Sequence, residues 1–541
     1  MTMLTKFNDY DIISIPNNME VFMKKLLLLF LAAVMVFSIF ACAKKDNNDS
    51  GNTTPGATTN PGATTNPGGT TNPDGTTNPG TSNPTNTTKP TNTELGIPFM
   101  TFDGAEYRIA AGNRTVYDEV YADESATNPR QMALFMRNSN VQDMYDVVIC
   151  PIFCDDSENM SMNNELINYA MAEDDMHDVA TTMVYRTGPL VMSGYLVNWL
   201  NMEYNDFTQD YWMSDINKNL IIDNTAYTVV GGLSLTTITN TYAMFYNRTE
   251  GDKIKVGNDT LTSVIFDKID NMEWTLDYFT SIVSDKYRDI DSTPGRSDDD
   301  FFGYATGVGG GSPELDAWQY AFDISLVKYD SAQDKLLCVL NSTKTITMVD
   351  KLNALIYDTT GTYYGDSTIQ KFKAGNALFL TTYIEQCFHT LDDMSDQYTI
   401  LPYPLFDTNQ DKYLTGSLDN YTVMSIPYTC PDFEMVSYIT EVLNYESMKT
   451  VYPVYYEQSL QGQYARDPET IEMLDILFAG RNYDLAQVFA FSTNNLCFCI
   501  RYTVGNHNDF KSFFDGNAEN YQTKLDDLLA TYKVNKENGL A

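Results

Sequence analysis

Between Cys42 and about Thr93 the chain carries almost no apolar side chain, and this tract divides the rest of the molecule. Thr58-Thr59-Asn60-Pro61 recurs every six residues, as Thr64-Thr65-Asn66-Pro67, Thr70-Thr71-Asn72-Pro73 and Thr76-Thr77-Asn78-Pro79. A short repeat can mark a solenoid. Stacked copies of this one would bury nothing, and each proline removes a backbone donor. Residues 42–96 are therefore expected to form a disordered, partly extended tether rich in Thr, Asn, Pro and Gly. On the flexible-coil rule it would span about 40 Å over about 50 residues.

Upstream of the tether, Lys24 and Lys25 precede the apolar run Leu26–Phe40 of 15 residues. A membrane-spanning helix needs about 20 apolar residues, so the run fits the core of a signal peptide instead. A plain transmembrane anchor is the competing reading. Ile39-Phe40-Ala41-Cys42 resembles a lipobox, with Phe40 in place of the usual small residue. That resemblance implies a bacterial lipoprotein, lipidated (palmitate) at Cys42 and anchored to the extracytoplasmic face of the cell membrane. Residues 1–41 are then upstream residues and signal peptide, with Met23 expected as the true start.

Charge removes one class of partner. The chain has 72 acidic and 34 basic residues and a formal net charge of -38. Nucleic acid and anionic lipid would repel it. Its three histidines, His177, His389 and His507, are far apart, and no metal or cofactor is expected. Gly307–Ser312 lacks the Lys-Ser/Thr of a phosphate loop. Asp407-Thr408-Asn409-Gln410-Asp411 begins like a calcium loop, but Lys412 and Leu418 stand where Gly and Glu are needed. Seven cysteines remain after lipidation, which implies no complete disulfide framework. Cys497 and Cys499 are expected to share a strand face, a poor geometry for bridging each other.

Beyond Ile97, short apolar runs alternate with helical spacing. Tyr145–Cys150, Val179–Val184, Tyr242–Phe245, Ala377–Leu380 and Tyr398–Leu401 read as strands. Residues 163–174 read as a helix, and another opens at Trp274-Thr275 with Thr275 as its N-cap. Tyr521, Leu525, Leu528, Leu529 and Tyr532 recur at helical spacing, which places a terminal helix over 517–533. The alternation argues for α/β architecture with largely parallel sheets, and the length for two lobes.

The order of four motifs resembles the carbohydrate-type extracellular solute-binding proteins of ABC importers, a family related to maltodextrin-binding protein. Gly231–Asn247 looks like the first hinge strand and Trp274-Thr275-Leu276-Asp277 like a Trp-Thr-x-Asp helix start. Phe372-Lys373-Ala374-Gly375 begins a similar Phe-x-x-Gly strand, and Tyr398–Pro404 looks like the returning hinge segment. The resemblance implies a two-lobed periplasmic-binding-protein-like fold (type II) with a ligand cleft at the hinge. One lobe would hold 97–241 plus 402–450, the other 242–401 plus 451–541. It further implies a monomer that captures a solute, an oligosaccharide by preference, and passes it to ABC importer permease subunits, with no enzymatic activity.

A sugar offers hydroxyls and apolar ring faces, so flat aromatics beside short polar groups mark candidate contacts. These are Tyr185, Arg186, Asn240, Asp316, Trp318, Tyr383, Glu385, Asn420, Tyr421 and Tyr483. The rivals are a surface glycoside hydrolase with paired carboxylates and a carbohydrate-binding or adhesive surface lipoprotein. No motif fixes an acid and a nucleophile.

Overall fold

The computed structural model describes residues 91–92, 94–112, 114–154, 161–456 and 468–537. The signal peptide, Cys42 and the tether up to residue 90 lie outside the described residues. In chain order the sheet strands are β1 (Ala105–Ala111), β2 (Val147–Phe153), β3 (Val179–Met183), β4 (Tyr242–Asn247), β5 (Phe301–Thr306), β6 (Thr362–Tyr364), β7 (Ala377–Tyr383), β8 (Tyr398–Leu401) and β9 (Thr422–Ser425). The helices used below are α1 (Arg114–Val120), α2 (Pro129–Tyr145), α3 (Val184–Met192), α4 (Thr236–Thr239), α5 (Leu276–Val283), α6 (Phe433–Glu446), α7 (Pro468–Ala479), α8 (Cys499–Gly505) and α9 (Ala518–Glu537).

The strands make two separate sheets. The first runs β9-β3-β1-β2 and the second β6-β5-β7-β4-β8, with the two-residue strand Tyr287–Arg288 added antiparallel to β5. Three strands of the first are parallel, and β9 joins β3 antiparallel. In the second, β6, β5 and β7 are parallel, while β4 lies antiparallel between β7 and β8. The expected α/β class holds, with one refinement. Each sheet carries an antiparallel neighbour where the chain arrives from the other lobe. Every residue of β4 and β5 is buried, as expected of strands covered on both faces.

Local signals set the helix ends. Asn128 caps α2 by accepting from the Arg130 amide at 2.9 Å, with Pro129 at the first helical position, where its missing donor costs nothing. Thr275 caps α5 by accepting from the Tyr278 amide at 3.3 Å. All five apolar positions of α9 named above are buried. In the first lobe α6 covers the sheet, and the buried Tyr107 hydroxyl lies 2.6 Å from Thr440 Oγ1.

Three boundaries differ from expectation. The last residues of the expected 42–96 tether are docked: Thr91–Asn92 pair with Ile97–Pro98, Asn92 Nδ2 donates to the Tyr145 hydroxyl at 2.8 Å, and Glu94 pairs with Lys449 at 2.6 Å. The return to the first lobe was expected at 402, yet residues 402–413 stay with the second. Trp274 Nε1 donates to the Pro402 carbonyl at 3.1 Å, and Leu405 pairs with Trp274 and Leu276 through hydrogen bonds of 2.8 Å. The crossing comes at 415–421. The C-terminal part, expected in the second lobe, touches both. Helix α7 packs on β8, whereas residues 485–493 pack on α3 of the first lobe. Lys536 Nζ on α9 reaches Asp223 Oδ2 at 2.8 Å. Cys497 and Cys499 sit in helical turns, not on a strand, and all seven described cysteines are free.

Candidate ligand cleft

The hinge is a narrow ladder of three chain segments. Thr415–Leu418 is its centre. On one edge, the Tyr242 amide donates to the Gly416 carbonyl at 3.1 Å and the Leu418 amide to the Asn240 carbonyl at 2.9 Å. On the other edge, the Thr415 amide donates to the Gly480 carbonyl at 2.9 Å and the Asn482 amide to the Thr415 carbonyl at 2.8 Å. Alternate residues of a strand direct their backbone groups to opposite sides, so the central segment has a neighbour on each. Gly416 is required there: a Cβ would stand 2.2 Å from Tyr320 Cδ2.

In open α/β sheets ligands sit outside the carboxyl ends of parallel strands. Tyr185 and Arg186 follow the end of β3, and Glu385 follows the end of β7, whose last residue is Tyr383. Arg186 Nε donates to the Tyr185 hydroxyl at 2.6 Å, and the Tyr185 ring lies 5.6 Å from that of Phe491. Asn240 and Asn420, one on each main crossing, are joined by a side-chain hydrogen bond of 2.8 Å. The structure therefore brings Tyr185, Arg186, Asn240, Tyr383, Glu385 and Asn420 to strand ends or hinge crossings.

Asp316 is buried, and its partner is Arg501. Arg501 Nε donates to Asp316 Oδ2 at 2.9 Å, and the same guanidinium donates to Asp419 Oδ2 at 2.9 Å. Burial pushes the Asp316 carboxyl up to about 7, against the pull of Arg501. Trp318, Tyr421 and Tyr483 are interior side chains, exposed by 0%, 0% and 2%. Trp318 packs against Tyr403 at 5.0 Å, and Tyr421 against Tyr483 at 4.4 Å. Trp318 and Tyr421 pack in the interior and line neither interlobe cavity, whereas Tyr483, though almost fully buried, borders a second cavity beside the hinge.

A cavity of about 230 Å³ opens between the lobes. The first lobe lines it with Thr115, Asp118, Glu119, Arg130 and Gln131, the first crossing with Thr236 and Thr239, and the second lobe with Glu385, Phe388 and His389. Tyr455 closes one side. The Arg130 guanidinium lies 4.4 Å from the Phe388 ring centre and 5.4 Å from that of Tyr455. Glu119 is almost fully buried and accepts from the Thr236 amide and the Thr422 hydroxyl, one residue on each crossing's first-lobe side. Burial pushes its carboxyl up to about 7, opposed by those hydrogen bonds. The arrangement offers ring faces, carboxylates and amides to a hydroxylated molecule. Of the cavity's residues only Glu385 was expected from sequence. Arg130, Phe388 and Tyr455 come from three separate segments and share no local motif.

No protein-family model matches the sequence, and no curated protein matches it. Solved structures do. An extracellular solute-binding protein from Staphylococcus aureus in complex with maltose superposes with a TM-score of 0.50 at 10% identity, covering 78% of this chain and 98% of that one. For the cyclic alpha-maltosyl-1,6-maltose binding protein from Arthrobacter globiformis the values are 0.49 and 13%, covering 79% and 99%. For the GacH receptor of Streptomyces glaucescens they are 0.47 and 10%, covering 78% and 99%. Likeness at such identity concerns architecture: the chain has the two-lobed type II α/β fold that the Staphylococcus protein has.

Proposed function

We propose that this chain is the solute-binding lipoprotein of an ABC importer. It captures a carbohydrate by closing its lobes and delivers it unchanged to the permease. The observation that supports this most is the polar cavity walled by both lobes beside a narrow hinge. A ligand held there touches Arg130 and Gln131 on one side and Glu385 and His389 on the other. It would favour the closed state because only that state offers both sets of contacts. Of the residues expected from sequence, Glu385 lines this cavity; Tyr185, Arg186, Asn240, Tyr383 and Asn420 stand at strand ends or hinge crossings and belong to this reading as positions beside the cleft, not as lining of the cavity. Anchorage through a lipid on Cys42 would hold the domain at the outer face of the membrane while the tether lets it move.

Among the described residues no helix is long and apolar enough to cross a membrane, so in this reading the anchor is upstream of the lobes. The rival reading, a surface glycoside hydrolase, would draw on Glu119 and Glu385. Both oxygens of Glu119 already accept hydrogen bonds from the hinge, which favours a role in holding the crossings over one in proton transfer. A thermal-shift screen of the full chain against neutral sugars, amino sugars and peptides tests the proposal. A ligand at 100 times its Kd adds about 2.7 kcal/mol of stability. Sugars that shift the melt and are recovered intact support it. Peptides as the sole active ligands refute the substrate class, and hydrolysis of the sugar refutes the transport role.

A further inference from the structure

A second cavity, of about 440 Å³, borders the opposite edge of the hinge ladder. The cleft cavity touches Thr236 and Thr239 of the first crossing, whereas this one touches Asn482 and Asp484 of the third segment. It too has walls from both lobes: Lys218 and Asn219 from the first, Tyr320 and Tyr329 from the second. The lobes already meet along it. Asn219 Nδ2 donates to Asn482 Oδ1 at 3.1 Å and to the Tyr483 carbonyl at 3.2 Å.

The charges of this cavity largely cancel. Lys218 is paired with Asp215. Both oxygens of Asp484 are occupied by backbone amides, Oδ2 by Leu326 at 2.8 Å and Oδ1 by Ala486 at 2.9 Å. Lys328 and Asp323, one of each sign, are exposed lining residues. The remaining polar lining is amide and hydroxyl groups beside three tyrosines, Tyr320, Tyr329 and Tyr483. The lining carries two basic and two acidic residues, Lys218, Lys328, Asp323 and Asp484, a balance that favours neither an anion nor a cation, while hydroxyls find donors and acceptors and apolar C–H faces find rings.

We propose that this cavity is a second ligand site, distinct from the cleft, that takes a compact neutral polyhydroxylated molecule, a small sugar or a polyol. Its occupant touches both lobes beside the hinge. Binding there is therefore coupled to closure, and the coupling to the cleft ligand is reciprocal. The site does not depend on the cleft's own ligand being a carbohydrate.

The test uses the full chain with maltose, trehalose and sorbitol as probes, read by hydrogen exchange and by equilibrium dialysis. At saturation at least one probe slows exchange at 218–221, 323–329 and 482–485. Ser325→Trp and the exposed Lys328→Trp each fill the cavity, and each removes one bound probe per chain. Arg130→Ala leaves this protection in place, which separates the site from the cleft. If no probe protects those segments, or if both cavity-filling variants bind as much probe as the parent, the proposal fails. Protection there without protection at Glu385–His389 supports this site and counts against the cleft reading alone.

Discussion

The guanidinium of Arg130, in the first turn of a first-lobe helix, lies 4.4 Å from the centre of the second-lobe Phe388 ring. It is one direct contact across the cleft cavity, and it joins a cation to a ring where most neighbouring charge is negative. A cation–π pair is worth about 0.5–1 kcal/mol at an exposed site and about 2 when desolvated. A double-mutant cycle of Arg130→Ala and Phe388→Ala should give a coupling of about 0.5–1 kcal/mol in urea unfolding. Additive effects would show that the two do not interact in solution.

Gly416 lets the central hinge segment pass under Tyr320. Gly416→Ala places a methyl 2.2 Å from Tyr320 Cδ2. The ring has no free end to swing, so the backbone must shift, at a cost of about 1–3 kcal/mol. Thermal melts of the variant should show that loss, and Tyr320→Leu in the same chain should return part of it.

Arg501 serves two carboxylates, Asp316 and Asp419. Arg501→Met leaves both without a cation and should cost about 3–5 kcal/mol, as breaking a buried pair does. Asp419→Asn keeps an acceptor and leaves the Asp316 pair intact, so it should cost much less. Urea midpoints of the two variants decide the order.

Glu119 makes stability depend on pH near neutrality. Burial raises its folded value to about 7, above the unfolded value of about 4.3. The folded chain then binds more protons than the unfolded chain between those values, so stability falls as pH rises through that window. Asp484, pushed up to about 6 by burial, acts in the same sense. Glu119→Gln keeps an oxygen for the Thr236 amide and removes the titration. Its melting temperature should fall less than the parent's between pH 5 and pH 8, values chosen to bracket the window. Parallel curves would show that Glu119 does not titrate there.

Much of the fold was legible because its signals are local. Tyr398–Leu401 is a strand with the bounds read from sequence, Thr275 is the N-cap, and the five apolar positions of the last helix are buried. The second crossing was misplaced because its position is set by distant partners. Pro402 and Leu405 pair back to residues near 274, and nothing in their own stretch announces it. The site was less legible for the same reason. Tyr185 and Arg186 follow a strand end, which a pattern can locate. Arg130, Phe388 and Tyr455 meet only through the tertiary fold. Trp318 shows the opposite failure: a large amphipathic ring suits a sugar and suits a core equally, and here it is fully buried.

In the proposed function the two lobes hold a sugar between them without changing it. Calorimetric titration of the full chain with neutral oligosaccharides, followed by recovery of the bound sugar, tests it most directly. Binding at the cleft should be saturable and weakened by Glu385→Ala, with the sugar recovered intact. Absence of saturable binding by every sugar, or recovery of cleaved products, would contradict it.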